Sequence, residues 1–175
     1  SKKLKGLVIS GQRSLPVADR KAYRAVYEGL YKAATESELM RKYHELGTAM
    51  NILPMDAMGA LPTRNFQRGH HPDAMNVSGE YMADHALTGV KSSCIHCPVT
   101  CGRDVTVPGA GRVKGPEYET VAMLGTNLDL PDLSRVAEWN HLADDLGMDT
   151  ISLGVVIGFA MELRERGMAD AGVQF

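Results

Sequence analysis

The sequence predicts a mainly α-helical chain carrying a few short β-strands, and three observations lead there. Apolar residues recur every three or four positions through several long stretches. Proline, glycine and asparagine gather in separate segments between those stretches, where they exclude long regular structure. Runs rich in β-branched residues are confined to a few short segments.

Taken in order, Gly6 to Ser10 is short and β-branched and reads as a strand, bounded by Gly11 and, further on, Pro16. From Asp19, Ala22, Ala25, Val26, Leu30 and Ala33 return at helical spacing with charges between them, and a second amphipathic helix from Glu38 to Leu46 stops at Gly47. Between Asn51 and Asn76, Pro54, Gly59, Pro62, Gly69 and Pro72 predict a long loop, and a loop of that length is expected to serve a function. Ser78 is placed to cap a short helix running to Leu87. Ser92 to Gly102 is turn-rich around Pro98, and Asp104 to Val107 and Arg112 to Lys114 flank Pro108-Gly-Ala-Gly111 as a hairpin.

Three helical segments follow. The first spans Glu117 to Asn127. Asp132 caps the second, whose stripe of Leu133, Val136, Ala137, Leu142, Ala143 and Leu146 ends at Gly147. Asp149 or Thr150 caps the third, which is apolar nearly all round until Arg164 and is therefore expected at the centre of the fold.

A chain of 175 residues with 44% hydrophobic and 23% charged composition suffices for one core or two small lobes. Nineteen basic and twenty-one acidic residues give a formal charge of -2, which supplies no field toward nucleic acid or an anionic membrane. No apolar run approaches the length of a bilayer span, and Lys2-Lys3-Leu4-Lys5 with Gly6 to Ile9 is too short for a secretory signal; the expectation is a cytoplasmic protein. Ser1 runs directly into the first strand and Gly172 to Phe175 has no closing element, so both ends read as cut from a longer chain.

The three cysteines lie within eight residues, as Cys94-Ile-His-Cys97-Pro-Val-Thr-Cys101. An odd, adjacent set is no disulfide framework, whereas a tight C-x2-C-x3-C loop lets three thiolates converge on one centre. Soft sulfur ligands select an iron-sulfur cluster or zinc, and spacing alone leaves the two open. A cubane cluster needs a fourth ligand, from His96, His85 or another chain segment.

Other chemistry-bearing residues each have a structural reading beside the functional one. Glu117 and Glu119 follow Pro116 at a helix start, where carboxylates suit the dipole. Asp144 to Asp149 reads as a helix-turn-helix corner turning at Gly147. Glu138 and His141 form an E-x-x-H on one helix face, able to share a metal or simply to face solvent. His70 and His71 read as solvated loop residues; Arg64, Asn65 and Gln67 either reach a ligand or tie down their own loop.

Ser1-Lys-Lys-Leu-Lys5, Gly59-Ala-Leu-Pro-Thr-Arg-Asn-Phe-Gln67, the cysteine loop, Gly115-Pro-Glu-Tyr-Glu-Thr120 and Asp144-Asp-Leu-Gly-Met-Asp-Thr-Ile151 occur in that order. Together they resemble the aldehyde ferredoxin oxidoreductase family across essentially the whole chain. The resemblance implies a [4Fe-4S] cluster on Cys94, Cys97 and Cys101, with its fourth cysteine from a distant downstream motif. It implies a tungsten or molybdenum bis-pterin contacted by Asp144, Gly147, Met148 and Asp149; Met148 replaces the leucine of the family's D-x-x-G-L-D pattern, a volume-conserving departure. Glu119 is implied near the metal as the catalytic carboxylate, and Glu138 and His141 at a bridging iron between the subunits of a homodimer.

On this resemblance, residues 1–16 are the tail of a preceding β-rich pterin-binding domain. Residues 17–175 are a mostly helical domain holding the loop 94–101 and the pterin motif 144–149. The implied parent oxidises an aldehyde to the acid and passes electrons through the cluster to ferredoxin; the fragment alone is expected to be inactive. The competing reading is a non-catalytic iron-sulfur electron-transfer or zinc-stabilised structural module.

Overall fold

Local capping chemistry divides the chain. The computed structural model describes residues 6–85 and 88–168. The Ser1 to Lys5 motif, the 86–87 end of the expected Ser78 helix and the Gly172 to Phe175 stretch lie outside the described residues.

Asp19 accepts the amides of Lys21 and Ala22 and starts α1 (Arg20–Glu36). Ser37 ends α1 and caps α2 (Glu38–Leu46), which stops at Gly47 with φ 72°. A 3-10 turn, Thr48–Asn51, leads into the short α3 (Ile52–Ala57), where Pro54 falls in the first turn and so costs no helical hydrogen bond. Ser78 accepts the Tyr81 amide and opens α4 (Gly79–Asp84). The strands β1 (Thr88–Ser92), β2 (Gly102–Val107) and β3 (Gly111–Lys114) form an antiparallel sheet in the order β1-β2-β3. The expected hairpin is β2-β3, paired Asp104 to Lys114 through Val107 to Gly111. Then come α5 (Tyr118–Leu124), a 3-10 turn at Thr126–Leu128, α6 (Leu133–Leu146) and α7 (Thr150–Glu165). Mainly helical architecture with a small sheet is therefore what the chain adopts.

The main core joins the middle of the chain to α5 and α6 through Ile52, Leu61, Val77, Leu124 and Val136, each fully buried. Each such side chain contributes about 1.5–3 kcal/mol by leaving water. A smaller cluster, Val105 and Val107 with Ala137, packs one sheet face onto α6. Period-two alternation puts Arg103 on that same inward face, while Thr106 is exposed.

Three expectations are corrected and one strand is added. Gly6 to Ser10 is exposed and in no strand: β propensity needs a partner ladder, and no described strand lies beside it. β1 was not anticipated, because Thr-Gly-Val-Lys-Ser lacks alternation and becomes a strand through its pairing with β2. Leu142 and Leu146, expected in the α6 stripe, are exposed, and Asn140 is buried in that helix instead. α7 is not central: its buried residues are Gly154 and Gly158, while Val156 and Phe159 are more than half exposed. An all-round apolar helix is covered on every side only where neighbours surround it, and among the described residues α5 and the 126–128 turn cover one face.

Among the described residues no single helix is long and apolar enough to cross a bilayer; α6 and α7 reach that length together but meet at 114°.

Candidate functional site

Strand pairing closes the cysteine loop at its base. Ser92 on β1 pairs with Gly102 on β2, so residues 93–101 emerge from one end of the sheet. Within the loop the Cys97 amide donates to Cys94 O at 3.1 Å. His96 and Thr100 hold left-handed backbone, φ 59° and 50°. Non-glycine residues there cost of order 1–3 kcal/mol each and persist only when their surroundings enforce them. The surroundings are visible: His44 Nδ1, from α2, lies 3.0 Å from Val99 O and 2.5 Å from Thr100 Oγ1. Arg103 Nη1 donates to Thr100 O at 3.0 Å and to Gly102 O at 2.8 Å. On the outer side the His96 ring meets Tyr27 of α1 edge-on, centroids 6.3 Å apart.

Cys94, Cys97 and Cys101 line one open cleft of about 350 Å³ with Ser92, Asp104, Lys114 and Glu117. All three are free thiols, Cys94 exposed and the others half-buried. Among the described residues no three His, Cys, Asp or Glu side chains meet at ligand spacing; the thiols border a shared space without closing on a point. Burial pushes the Cys101 thiol up, and so do the Glu117 carboxylate and the neighbouring Cys97 and Cys94. Three thiolates beside a carboxylate repel one another, and a cationic iron centre or zinc removes that cost, since such metals bind the deprotonated ligands. The donor set therefore fits a thiolate-held metal group.

Glu117 and Glu119 separate cleanly. Thr48 Oγ1 donates to Glu117 Oε2 at 2.6 Å, and the half-buried Glu117 lines the cysteine cleft. Glu119 lies in the first turn of α5, exposed, and does not line that cleft. It raises the neighbouring Tyr118 hydroxyl, whose pKa burial already pushes up.

The Asp144 to Asp149 corner folds as its glycine demands. Gly147 is left-handed, φ 65°, its amide donating to Ala143 O and Asp144 O, and the Met148 amide closes on Ala143 O at 2.8 Å. Asp149 caps α7 by accepting the Ser152 amide at 2.8 Å, and hydrogen bonding from Ser152 holds its carboxyl below the usual range. All six residues are exposed, leaving Asp144, Gly147, Met148 and Asp149 accessible at one turn.

Glu138 and His141 occupy one face of α6, but each pairs within its own helix: Glu138 with Arg135 at 2.9 Å, His141 with Asp145 at 3.7 Å. The paired loop histidines differ from expectation. His70 is exposed beside Asp56, whereas His71 is buried with Nε2 3.2 Å from Asp129 and Nδ1 accepting the Asp73 amide, so its ring organises the loop. Arg64 and Asn65 tie their loop to α7, through Glu165 at 2.9 Å and Glu162 at 2.6 Å. Asn65 and Arg166 together hold the Glu162 carboxyl low.

Sequence reasoning passed over His44, Thr48 and Arg103. The first two sit in or beside an unremarkable helix end; inward-facing alternation on β2 was the one available sign for Arg103.

A family model described as aldehyde ferredoxin oxidoreductase, domains 2 and 3, matches residues 25–174. The tungsten-containing aldehyde ferredoxin oxidoreductase of Pyrococcus furiosus is 39% identical over 168 residues, covering 95% of this chain and 28% of that protein. The enzyme of the same name from Pyrococcus horikoshii is 42% identical over 172 residues, covering 96% of this chain and 28% of its own length. A more distant relative, the WOR-like subunit of an aliphatic sulfonate oxidoreductase from Pyrococcus furiosus, is 29% identical over 175 residues, 96% of this chain and 27% of that protein. The chain thus spans about 28% of the length of the curated relatives it matches.

Proposed function

Because the chain belongs to the aldehyde ferredoxin oxidoreductase family, we propose that it forms the cluster-loop portion of a tungsten- or molybdenum-pterin oxidoreductase that converts an aldehyde and water to a carboxylic acid. The reaction releases two electrons and two protons, and a [4Fe-4S] cluster on this chain would supply the one-electron relay toward ferredoxin. The single observation carrying this reading is the cleft shared by Cys94, Cys97, Cys101 and Glu117.

When bound, the metal-pterin supplies the two-electron acceptor and the polarising metal, chemistry that no side chain here provides. The chain's own residues position and exchange protons. Cys94, Cys97 and Cys101 hold the cluster as thiolates, with the fourth ligand from the rest of the parent. Asp144 and Asp149, with the Gly147 and Met148 backbone at the exposed corner, hold one pterin by hydrogen bonds. Glu119, free of a local partner role in the cysteine cleft, orients the aldehyde hydrate and takes its proton. Glu138 and His141, now paired with Arg135 and Asp145, would be the side chains of this chain that hold an iron at a dimer interface. Residues 1–16 belong to the preceding pterin-embracing domain, and 17–175 to the helical one.

The test is metal analysis of the full-length parent purified without oxygen. Roughly four irons with one tungsten or molybdenum per chain support the reading, and Cys97→Ala then lowers the iron. Zinc alone, or iron unchanged in Cys97→Ala, overturns it.

A further inference from the structure

We infer that Arg103 is the positioning residue of the cluster loop: it clamps the Cys101 limb to the end of α2 and sets a fixed positive charge beside the cluster. This rests on the proposed cluster reading.

Arg103 is 7% exposed, on the inward face of β2 with Val105 and Val107. Its guanidinium bonds three carbonyls: Thr100 O at 3.0 Å, Gly102 O at 2.8 Å and His44 O at 2.8 Å. Thr100 and Gly102 flank Cys101, and His44 is in the last turn of α2. The planar fork makes these bonds at once, which a single ammonium point charge cannot reproduce. Packing leaves the limb little freedom: a Cβ on Gly47 would stand 2.9 Å from Cys101 O and 3.5 Å from Arg103 Cγ.

Among the described residues no carboxylate lies within ion-pair distance of Arg103. A buried cation without a carboxylate partner is costly unless negative charge lies near. A cluster with four thiolates is anionic and gains one more negative charge when it accepts an electron, with no bond made or broken. A fixed cation beside Cys101 favours that reduced state and raises the reduction potential.

The experiment uses the full-length holoprotein, with an EPR-monitored reductive titration by dithionite and iron release to a chelator. Arg103→Met is expected to assemble its cluster, to release iron several-fold faster and to need a lower potential, with the reduced-to-oxidised ratio at fixed potential falling at least tenfold, about 59 mV for one electron. Arg103→Lys keeps the charge, so its potential stays within that tenfold window while iron leaves several-fold faster. An unmoved potential in Arg103→Met, or wild-type iron release in Arg103→Lys, overturns the inference. If Arg103→Met does not accumulate as folded protein, Arg103→Gln, which also removes the charge, takes its place in both readings. A wild-type parent lacking an iron-sulfur signal overturns the cluster reading and this inference with it; a wild-type signal with unchanged variants overturns this inference only.

Discussion

Thr48 donates its hydroxyl to Glu117 Oε2 at 2.6 Å and with the same oxygen accepts the Tyr118 amide at 2.9 Å. One hydroxyl thereby satisfies an orphan amide at the start of α5 and turns a carboxylate toward the cysteines. Thr48→Val is expected to cost about 1–3 kcal/mol, the penalty of stranding part-buried polar partners, with Thr48→Ser close to wild type. Hydrogen exchange of the full-length protein should show the Tyr118 amide losing protection in the valine variant; unchanged protection would count against this role.

Burial, and after it the Glu117 carboxylate, raises the Cys101 thiol, so metal-free protein should alkylate slowly at Cys101 around neutral pH. Glu117→Gln removes a negative neighbour, lowers the thiol pKa and speeds that alkylation. Mass-spectrometric rates at Cys101 over a pH series check the sign, and a slower reaction in the glutamine variant contradicts it.

The cap on α7 carries its own pH dependence. Asp149 is held below the ordinary aspartate value of about 3.9 by Ser152. Its depressed folded pKa means the contribution is fully present above the unfolded value and lost as pH falls through the folded one. Amide protection at Ser152 should therefore survive from neutral pH to below that ordinary value, then fall; loss already at pH near 5 would refute the cap.

Gly154 allows α7 to approach α5, since a Cβ there would lie 2.4 Å from Met123 O. Gly154→Ala should destabilise by about 1–3 kcal/mol through forced displacement. Gly29, in exposed α1, has nothing within 4 Å of a built Cβ; Gly29→Ala should be neutral or stabilising by up to about 1 kcal/mol. The thermal midpoint should fall for Gly154→Ala and hold or rise for Gly29→Ala; a lower midpoint for Gly29→Ala than for Gly154→Ala would contradict both assignments.

Ser78 is fully buried and caps α4 through the Tyr81 amide at 3.0 Å. Ser78→Ala is expected to lose about 1 kcal/mol and Ser78→Thr less, provided the extra methyl fits. Denaturation midpoints of the full-length variants test the order.

What the sequence by itself determined is what neighbours in the chain decide. Asp19, Ser78, Asp132 and Asp149 each cap the helix that follows, and Gly47 and Gly147 end one, through hydrogen bonds spanning at most a few residues. The β2-β3 hairpin, the cysteine spacing and the family resemblance were legible for the same reason. Tertiary structure alone decided the rest. Residue type and helix position did not separate Glu117 from Glu119, and it was Thr48, 69 residues from Glu117, that drew Glu117 toward the thiols. Arg103, between the turn-rich segment and the expected Asp104 to Val107 strand, had no reading of its own until His44, 59 residues away, supplied an acceptor. His71 went inside because Asp129 was there to meet its ring, and α7 stayed half open because Gly154 meets Met123 of α5, and Leu153 and Ile157 the core, while Val156 and Phe159 face outward. A side chain's partner is chosen by which distant backbone arrives beside it, and periodicity carries no record of that arrival.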